Sequence, residues 1–245
     1  MIRVAAVADL HLAEDSAAAW RDALAPVSSE ADALLLGGDL TRTGTVEEAK
    51  AVAFALESVE IPVLAVLGNH DHHAGRVAEL SSVLAGAGVR VLEGTSAVLE
   101  VGEARIGVAG SKGFGGGFEN ACGSEFGEAE MKAFIGHTRT LAERLGRVLA
   151  ALRSDVRIAL LHYAPIPGTL RGERREIYPF LGSHLLARAV DGAGADLVLH
   201  GHAHAGSEKG ATPGGVPVRN VAQPVIRSAY RVFCFGRPAG SPDRA

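Results

Sequence analysis

Short apolar runs alternate with amphipathic segments along the first third of the chain. Residues 2–8, 33–36 and 63–67 are runs rich in Val, Ile, Leu and Ala, which predict buried strands. Three predicted helices separate or follow these runs, at residues 16–27, 45–59 and 76–87. Strands that alternate with helices in this way are typical of a parallel sheet with helices on its faces.

The pattern changes after residue 88. Short apolar runs at 89–92, 97–101 and 105–109 are separated by turns that contain glycine, so we expect antiparallel pairing there. Residues 113–127 are rich in glycine and predict a loop. The remaining predicted elements are helices at 128–152 and 180–190 and strands at 156–161, 197–199, 216–221 and 230–235. We expect a single α/β domain over residues 1–236 and a disordered tail at 237–245.

Composition narrows the class of protein. The chain has 245 residues, of which 47% are hydrophobic, with 31 Gly, 10 Pro and 2 Cys, which excludes a collagen repeat and a disulfide scaffold. No apolar run reaches the about 18 residues of a membrane span, and the N-terminus lacks a signal-peptide pattern, so we expect a cytoplasmic protein. A net charge of −4 disfavours non-specific binding of nucleic acid. The composition is compatible with a homo-oligomer.

Polar side chains follow five of the predicted strands at their carboxyl ends. In chain order they are Asp9 and His11, then Asp39, then Asn69, His70 and Asp71, then His162, and finally His200, His202 and His204. Ligands of open α/β sheets bind in the crevice outside the carboxyl ends of the strands. Each group alone would be typical of a turn or of a core histidine, but five together favour a site. Oxygen and nitrogen donors without sulfur suit manganese, iron, zinc or cobalt rather than a thiolate zinc site.

The same residues resemble the signature of a known family. The segments Asp9-x-His11, Gly38-Asp39-(x)4-Gly44, Gly68-Asn69-His70-Asp71, His162 and Gly201-His202-x-His204 are similar, in this order, to the motifs of the calcineurin-like metallophosphoesterase superfamily. The resemblance spans residues 9 to 204. It implies a four-layer α/β/β/α sandwich, in which two mixed β-sheets are flanked by helices and the metal site lies at the C-terminal ends of the strands.

The resemblance also implies a site with two metal ions, divalent or trivalent. Manganese and iron are expected first, with zinc, cobalt and nickel as alternatives. Asp9, His11 and His204 would hold one ion. Asn69, His162 and His202 would hold the second, and Asp39 would bridge the two.

Catalysis would then depend on residues that do not hold metal. The resemblance places His70 beside the leaving group, with Asp71 next to it. There an imidazole can act as a general acid, its ring held by Asp71 or another carboxylate. Three arginines are candidates for binding a substrate phosphate: Arg42, inside the Gly38–Gly44 motif, and Arg174 and Arg175, in a segment punctuated by Pro and Gly. A solvated arginine is an equally ordinary interpretation of Arg42, and a solvated face is the usual interpretation of the charge run that contains Arg174 and Arg175.

The resulting hypothesis is a dinuclear-metal-dependent phosphodiesterase that hydrolyses small or nucleotide-like phosphate esters. A hydroxide held between the two ions would attack the phosphorus atom. The alternative within the class is a phosphomonoesterase of broad specificity. A DNA-repair nuclease is disfavoured because it predicts a longer chain with a basic groove, and a non-catalytic scaffold is disfavoured because every residue of the signature is present.

Overall fold

Strands and helices alternate through the part of the chain that the computed structural model describes, residues 1–236. The tail predicted at 237–245 lies outside the described residues. The strands are β1 (Ile2–Val7), β2 (Ala33–Gly37), β3 (Val63–Val66), β4 (Val89–Val91), β5 (Thr95–Val101), β6 (Ala104–Ser111), β7 (Gly117–Phe118), β8 (Ala121–Cys122), β9 (Val156–Leu161), β10 (Leu197–His200), β11 (Lys209–Ala211), β12 (Pro217–Asn220) and β13 (Arg231–Phe235). The α-helices are α1 (Ala17–Leu24), α2 (Val27–Glu30), α3 (Val46–Ala55), α4 (Val77–Gly86), α5 (Ala129–Ala150), α6 (Tyr178–Leu181), α7 (His184–Ala193) and α8 (Gln223–Ile226).

Two large sheets contain most of the strands. The first has the order β13-β1-β2-β3-β4, with β1 to β4 parallel and β13 antiparallel to β1. The second has the order β11-β12-β10-β9-β6-β5, with a parallel centre and antiparallel strands at both edges. Both sheets are therefore mixed.

Three apolar cores lie between four layers. One core contains Val4 and Leu64 from the first sheet and Ile158 and Leu199 from the second, so the sheets pack face to face. Another packs the first sheet against α1, α3 and α4, and a third packs the second sheet against α5 and α7. The expected α/β/β/α sandwich is confirmed.

A capping motif in the sequence explains where α3 begins. The Thr45 side chain accepts a hydrogen bond from the N–H of Glu48, whose carboxylate accepts from the N–H of Thr45 in return, so the expected start of α3 is confirmed. The helix ends at Ala55, short of the expected residue 59, because the chain turns there with the N–H of Val59 donating to the carbonyl of Leu56.

Three expectations need correction. Antiparallel pairing after residue 88 holds only for β5 with β6, because β4 pairs in parallel with β3 and β6 pairs in parallel with β9. The glycine-rich segment contains the two-stranded ribbon of β7 and β8. The helix expected at 180–190 begins at His184, since the Ser183 hydroxyl caps it by accepting from the N–H of Leu185.

None of the helices within residues 1–236 combines the length and the apolar character that a bilayer-spanning helix needs.

Candidate metal centre

The carboxyl ends of β1, β2, β9 and β10 meet at one edge of the sandwich. The N–H of Asp9 donates to the carbonyl of Gly38 (2.9 Å) and the N–H of His11 to that of Asp39 (3.0 Å), which ties the first two strand ends together. The N–H of His202, beyond β10, donates to the Asp9 carboxylate at 2.9 and 3.1 Å. Residues far apart in sequence therefore converge at this edge.

Strained backbone marks the residues of this edge. Asp9, His11, Asp39 and His202 have φ angles of 59°, 45°, 49° and 69°, in the left-handed region that side chains other than glycine rarely adopt. Strain of this kind persists only where the surrounding structure enforces it, and it concentrates at functional sites. The left-handed backbone is therefore a second indication, besides the convergence of the strand ends, that this edge is a functional site.

One group of side chains forms around Asp9. The Nε2 atom of His204 lies 2.9 Å from Oδ1 of Asp9 and 3.4 Å from Nε2 of His11. The same His11 nitrogen lies 3.9 Å from Oδ2 of Asp39. Together these four residues offer donor atoms that all lie within 4.8 Å of one another, close enough to share one cation.

A second group forms around His162. Its Nε2 atom lies 3.4 Å from Oδ2 of Asp39 and 3.0 Å from Oδ1 of Asn69, and its ring centroid lies 4.8 Å from that of His202. Its Nδ1 atom is 2.9 Å from the carbonyl oxygen of Gly37, which can only accept, so Nδ1 carries the hydrogen. In the neutral ring the lone pair of Nε2 therefore points toward Asp39, as a metal ligand requires.

Glycines make room for these groups. A Cβ atom at Gly68 would lie 2.0 Å from Oδ1 of Asp39, and one at Gly201 would lie 2.3 Å from Oδ2 of Asp9. A Cβ at Gly38 would lie 2.6 Å from Nδ1 of His162. The three glycines of the sequence signature are thus needed because the candidate ligands pass directly over their backbone.

The carboxylates and imidazoles of the centre shift one another's pKa values, and burial lowers the pKa of His202 to about 3. Burial opposes protonation of His162, but the neighbouring Asp39 carboxylate outweighs it and raises the pKa of His162 to about 9. Burial would raise the pKa of Asp39, yet His162 and the N–H of His70 hold it below its usual range. Two buried carboxylates among imidazoles, with oxygen and nitrogen donors and no sulfur, fit a pair of hard or borderline cations.

His70 lies at the edge of the first group. Its ring centroid is 4.5 Å from that of His11, and its backbone N–H donates to Oδ1 of Asp39 (2.8 Å). The Nδ1 atom of His70 donates to the backbone carbonyl of Arg42 at 2.7 Å. The partner that orients the ring is therefore a carbonyl and not the Asp71 carboxylate that the sequence suggested.

Asp71 bonds to the backbone of two loops and does not contact the His70 ring. Its fully buried carboxylate accepts hydrogen bonds from the N–H groups of Gly68 (2.8 Å), Leu40 (3.2 Å) and Thr41 (2.8 Å) and from the Thr41 hydroxyl (2.6 Å). Burial raises the pKa of Asp71, while these donors oppose that shift. The contacts tie the loop after β2 to the loop after β3.

The candidate arginines lie on the surface. The guanidinium of Arg42 pairs with Asp15 at 3.1 Å, and half of the Arg42 side chain is exposed. Arg174 and Arg175 are exposed in the segment before α6. A role of the three in substrate binding stays a prediction.

His200 is part of the core. It is fully buried, and its ring nitrogens face the Thr169 hydroxyl and the carbonyl of Gly201, each at 2.8 Å. Burial lowers its pKa to about 4. Both ring nitrogens are occupied within the fold.

Sequence reasoning missed Lys112, which follows β6 beside the second group. The signal was present, because a charged residue after an apolar run is the pattern that identified the other strand ends. The antiparallel pairing expected for β6 points its carboxyl end away from this edge, whereas β6 pairs in parallel with β9.

The family model of calcineurin-like phosphoesterases matches residues 2–206, so the chain belongs to that family. The family is dinuclear-metal-dependent, and the two Asp/His groups described above could bind metal. The comparison with curated proteins found no significant match.

Solved structures share the fold at low identity. The crystal structure of phosphopantetheinyl hydrolase (PptH) from Mycobacterium tuberculosis is 14% identical, with a TM-score of 0.67 and coverage of 98% of each chain. TT1561 of Thermus thermophilus is 21% identical, with a TM-score of 0.58, and the match covers 89% of this chain and 88% of that one. GAP50, the anchor in the inner membrane complex of Plasmodium, is 10% identical, with a TM-score of 0.53 and coverage of 91% and 72%.

Proposed function

We propose that the chain is a dinuclear-metal-dependent phosphodiesterase that hydrolyses small or nucleotide-like phosphate esters. The observation that carries this proposal is the position of Asp39, which belongs to both groups of candidate ligands. A carboxylate shared in this way is what a pair of neighbouring cations needs as a bridge. In the proposal, Asp9, His11 and His204 hold one ion and Asn69, His162 and His202 hold the other, with Asp39 between them.

In the proposed hydrolysis, bound cations and the hydrogen bonds that hold their ligands have separate roles. When bound, two such cations lower the pKa of coordinated water and neutralise the charge of a phosphate group. The protein holds its own ligands in place with hydrogen bonds: the carbonyl of Gly37 orients His162, and the N–H of His202 orients the Asp9 carboxylate.

His70 supplies the proton that the leaving alkoxide requires. With its Nδ1–H donated to the carbonyl of Arg42, the ring presents Nε2, and in the imidazolium form that atom also carries a hydrogen. Transfer of the Nε2 proton to the leaving oxygen returns the neutral ring, and the bond to Arg42 is kept throughout. The carbonyl thus orients the ring in both protonation states.

Activity on matched esters tests the proposal. The metal-free protein would be loaded in turn with Mn²⁺, Fe²⁺ and Zn²⁺ and assayed on bis(4-nitrophenyl) phosphate, 4-nitrophenyl phosphate and a cyclic nucleotide. We expect turnover of the diester that requires metal and is lost with a chelator. Turnover of 4-nitrophenyl phosphate alone would replace the proposal with a monoesterase, and no metal-dependent turnover of any ester would overturn it.

A further inference from the structure

Lys112 stands at the same edge of the second sheet as the candidate ligand His162. Ser111, the last residue of β6, pairs in parallel register with Leu161 of β9. The carbonyl of Lys112 accepts hydrogen bonds from the N–H groups of His162 (3.2 Å) and Tyr163 (3.0 Å). The side chain of Lys112 therefore starts from a backbone position fixed beside the proposed metal centre.

Aromatic rings enclose the Lys112 side chain. The residue is only 9% exposed, and its Nζ atom lies 4.7 Å from the ring centroid of Phe114 and 5.3 Å from that of Tyr163. The Tyr163 ring in turn lies 4.4 Å from the ring of His202. The ammonium group is thus next to the His202 side of the centre, separated from that histidine by one aromatic ring.

The ammonium group lacks a partner within the fold. Among residues 1–236, no carboxylate, carbonyl or hydroxyl accepts a hydrogen bond from Nζ of Lys112, and no carboxylate pairs with it. The nearby Glu93 carboxylate accepts instead from the backbone N–H of Lys112, at 3.2 and 3.3 Å. The Glu93 and Asp39 carboxylates attract the buried ammonium group, but neither lies within 4.0 Å of it, so its hydrogen-bond donors are open to an anion from outside the chain.

The charge of Lys112 reaches two exposed histidines. The exposed His137 ring packs edge-on against Phe114, with centroids 4.9 Å apart. Burial and then the charge of Lys112 lower the pKa of His137 and also that of His72, another exposed residue. Both imidazoles therefore lie within the field of the ammonium group.

We propose that Lys112 binds a second phosphate group of the substrate, adjacent to the phosphate that is hydrolysed. The inference rests on the proposed function and deepens it. Metal held by the candidate ligands would neutralise the reacting phosphate, and Lys112 stands one ring beyond His202, where the next anionic group of the substrate would lie. The substrate class is then an ester with two successive phosphate groups, as in a nucleoside diphosphate.

Binding of two phosphonates tests this inference without turnover. Methylenediphosphonate has two phosphonate groups and methylphosphonate has one, and neither is hydrolysed. Titration calorimetry would measure their dissociation constants for the metal-loaded wild type, Lys112→Gln, Lys112→Arg and the control Lys50→Gln, which alters an exposed lysine on α3. Metal analysis before and after each titration would show that all four proteins keep the same metal content.

We expect Lys112→Gln to weaken methylenediphosphonate binding about tenfold or more, the size of a lost hydrogen bond to a charged group, and methylphosphonate binding less than about threefold. Lys112→Arg should keep most of the affinity, and Lys50→Gln should match the wild type. Equal weakening of both ligands would place Lys112 on the reacting phosphate and overturn the inference, as would unchanged binding or loss of metal from Lys112→Gln. Because no turnover is measured, failure of the phosphodiesterase proposal would be seen separately, in the ester assays.

Discussion

Oδ2 of Asp39 lies 3.4 Å from Nε2 of His162, although Asp39 follows β2 of the first sheet and His162 follows β9 of the second. Both side chains are buried, with 1% and 0% exposure. The candidate centre is therefore formed by the packing of two sheets, and neither sheet contains it alone. Because the ligands converge only in the folded chain, metal binding should stabilise the fold.

Replacement of Asp39 tests its shared position. Asp39→Asn keeps the size of the side chain but removes the negative charge that holds His162 and, in the proposal, both ions. We expect metal content to fall by at least one ion per chain and turnover to be lost, as measured by metal analysis and an ester assay. Full occupancy with normal turnover would show that Asp39 does not bridge.

His70 should affect the rate and not the metal content. His70→Ala should keep both ions and lower turnover by ~10²–10⁴-fold, the usual contribution of one acid–base group. The loss should be smaller on an ester with a nitrophenolate leaving group than on an alkyl ester, because nitrophenolate needs little protonation. His73→Ala, at an exposed neighbour, is the matched control. An equal loss on both esters would remove the general-acid assignment.

Gly68 should tolerate no side chain. A methyl group there would lie 2.0 Å from Oδ1 of Asp39, so Gly68→Ala must displace the carboxylate. Because misplacement of a reacting group by about 1 Å can cost about 10²-fold in rate, we expect a loss of about that size. Gly86→Ala is the control, because a Cβ at Gly86 meets nothing within 4 Å. Wild-type activity and metal content in Gly68→Ala would contradict the described geometry.

Asp71 should contribute to stability. Asp71→Asn would place amide hydrogens against N–H donors, and we expect the free energy of unfolding to fall by about 1.5–3 kcal/mol, the range for hydrogen bonds to a charged group. Urea unfolding followed by the fluorescence of Trp20 measures this. The control Asp15→Asn alters an exposed carboxylate and should be nearly neutral. Unchanged stability with lost turnover would instead favour the catalytic role that the sequence suggested for Asp71.

Much of the fold could be predicted because its strands are short apolar runs that end in distinctive residues. The positions of β1, β2, β3, β9 and β10 follow from that pattern, and Asp9, Asp39 and His162 follow from the strand ends. The four-layer arrangement was predicted from the family resemblance alone. Local patterns do not specify it, because the packing of two sheets depends on contacts between residues far apart in the sequence.

Other features depend on tertiary contacts that the sequence does not display. The left-handed backbone of Asp9, His11 and Asp39 is set by hydrogen bonds between loops. Asp and His adopt this conformation more readily than most residue types, but residue type alone does not predict which positions adopt it. The sequence suggested that Asp71 holds the ring of its neighbour His70, whereas Asp71 turns into the core and the carbonyl of Arg42 takes that place. Proximity along the chain was a poor guide to contact.

The location of bound metal tests the central claim most directly. Crystals of the protein loaded with Mn²⁺ would be measured near the manganese absorption edge, and an anomalous difference map would locate the ions. The account predicts two peaks, one bordered by Asp9, His11 and His204 and the other by Asn69, His162 and His202, with the Asp39 carboxylate between them. A single peak, or two peaks that do not share Asp39, would contradict it.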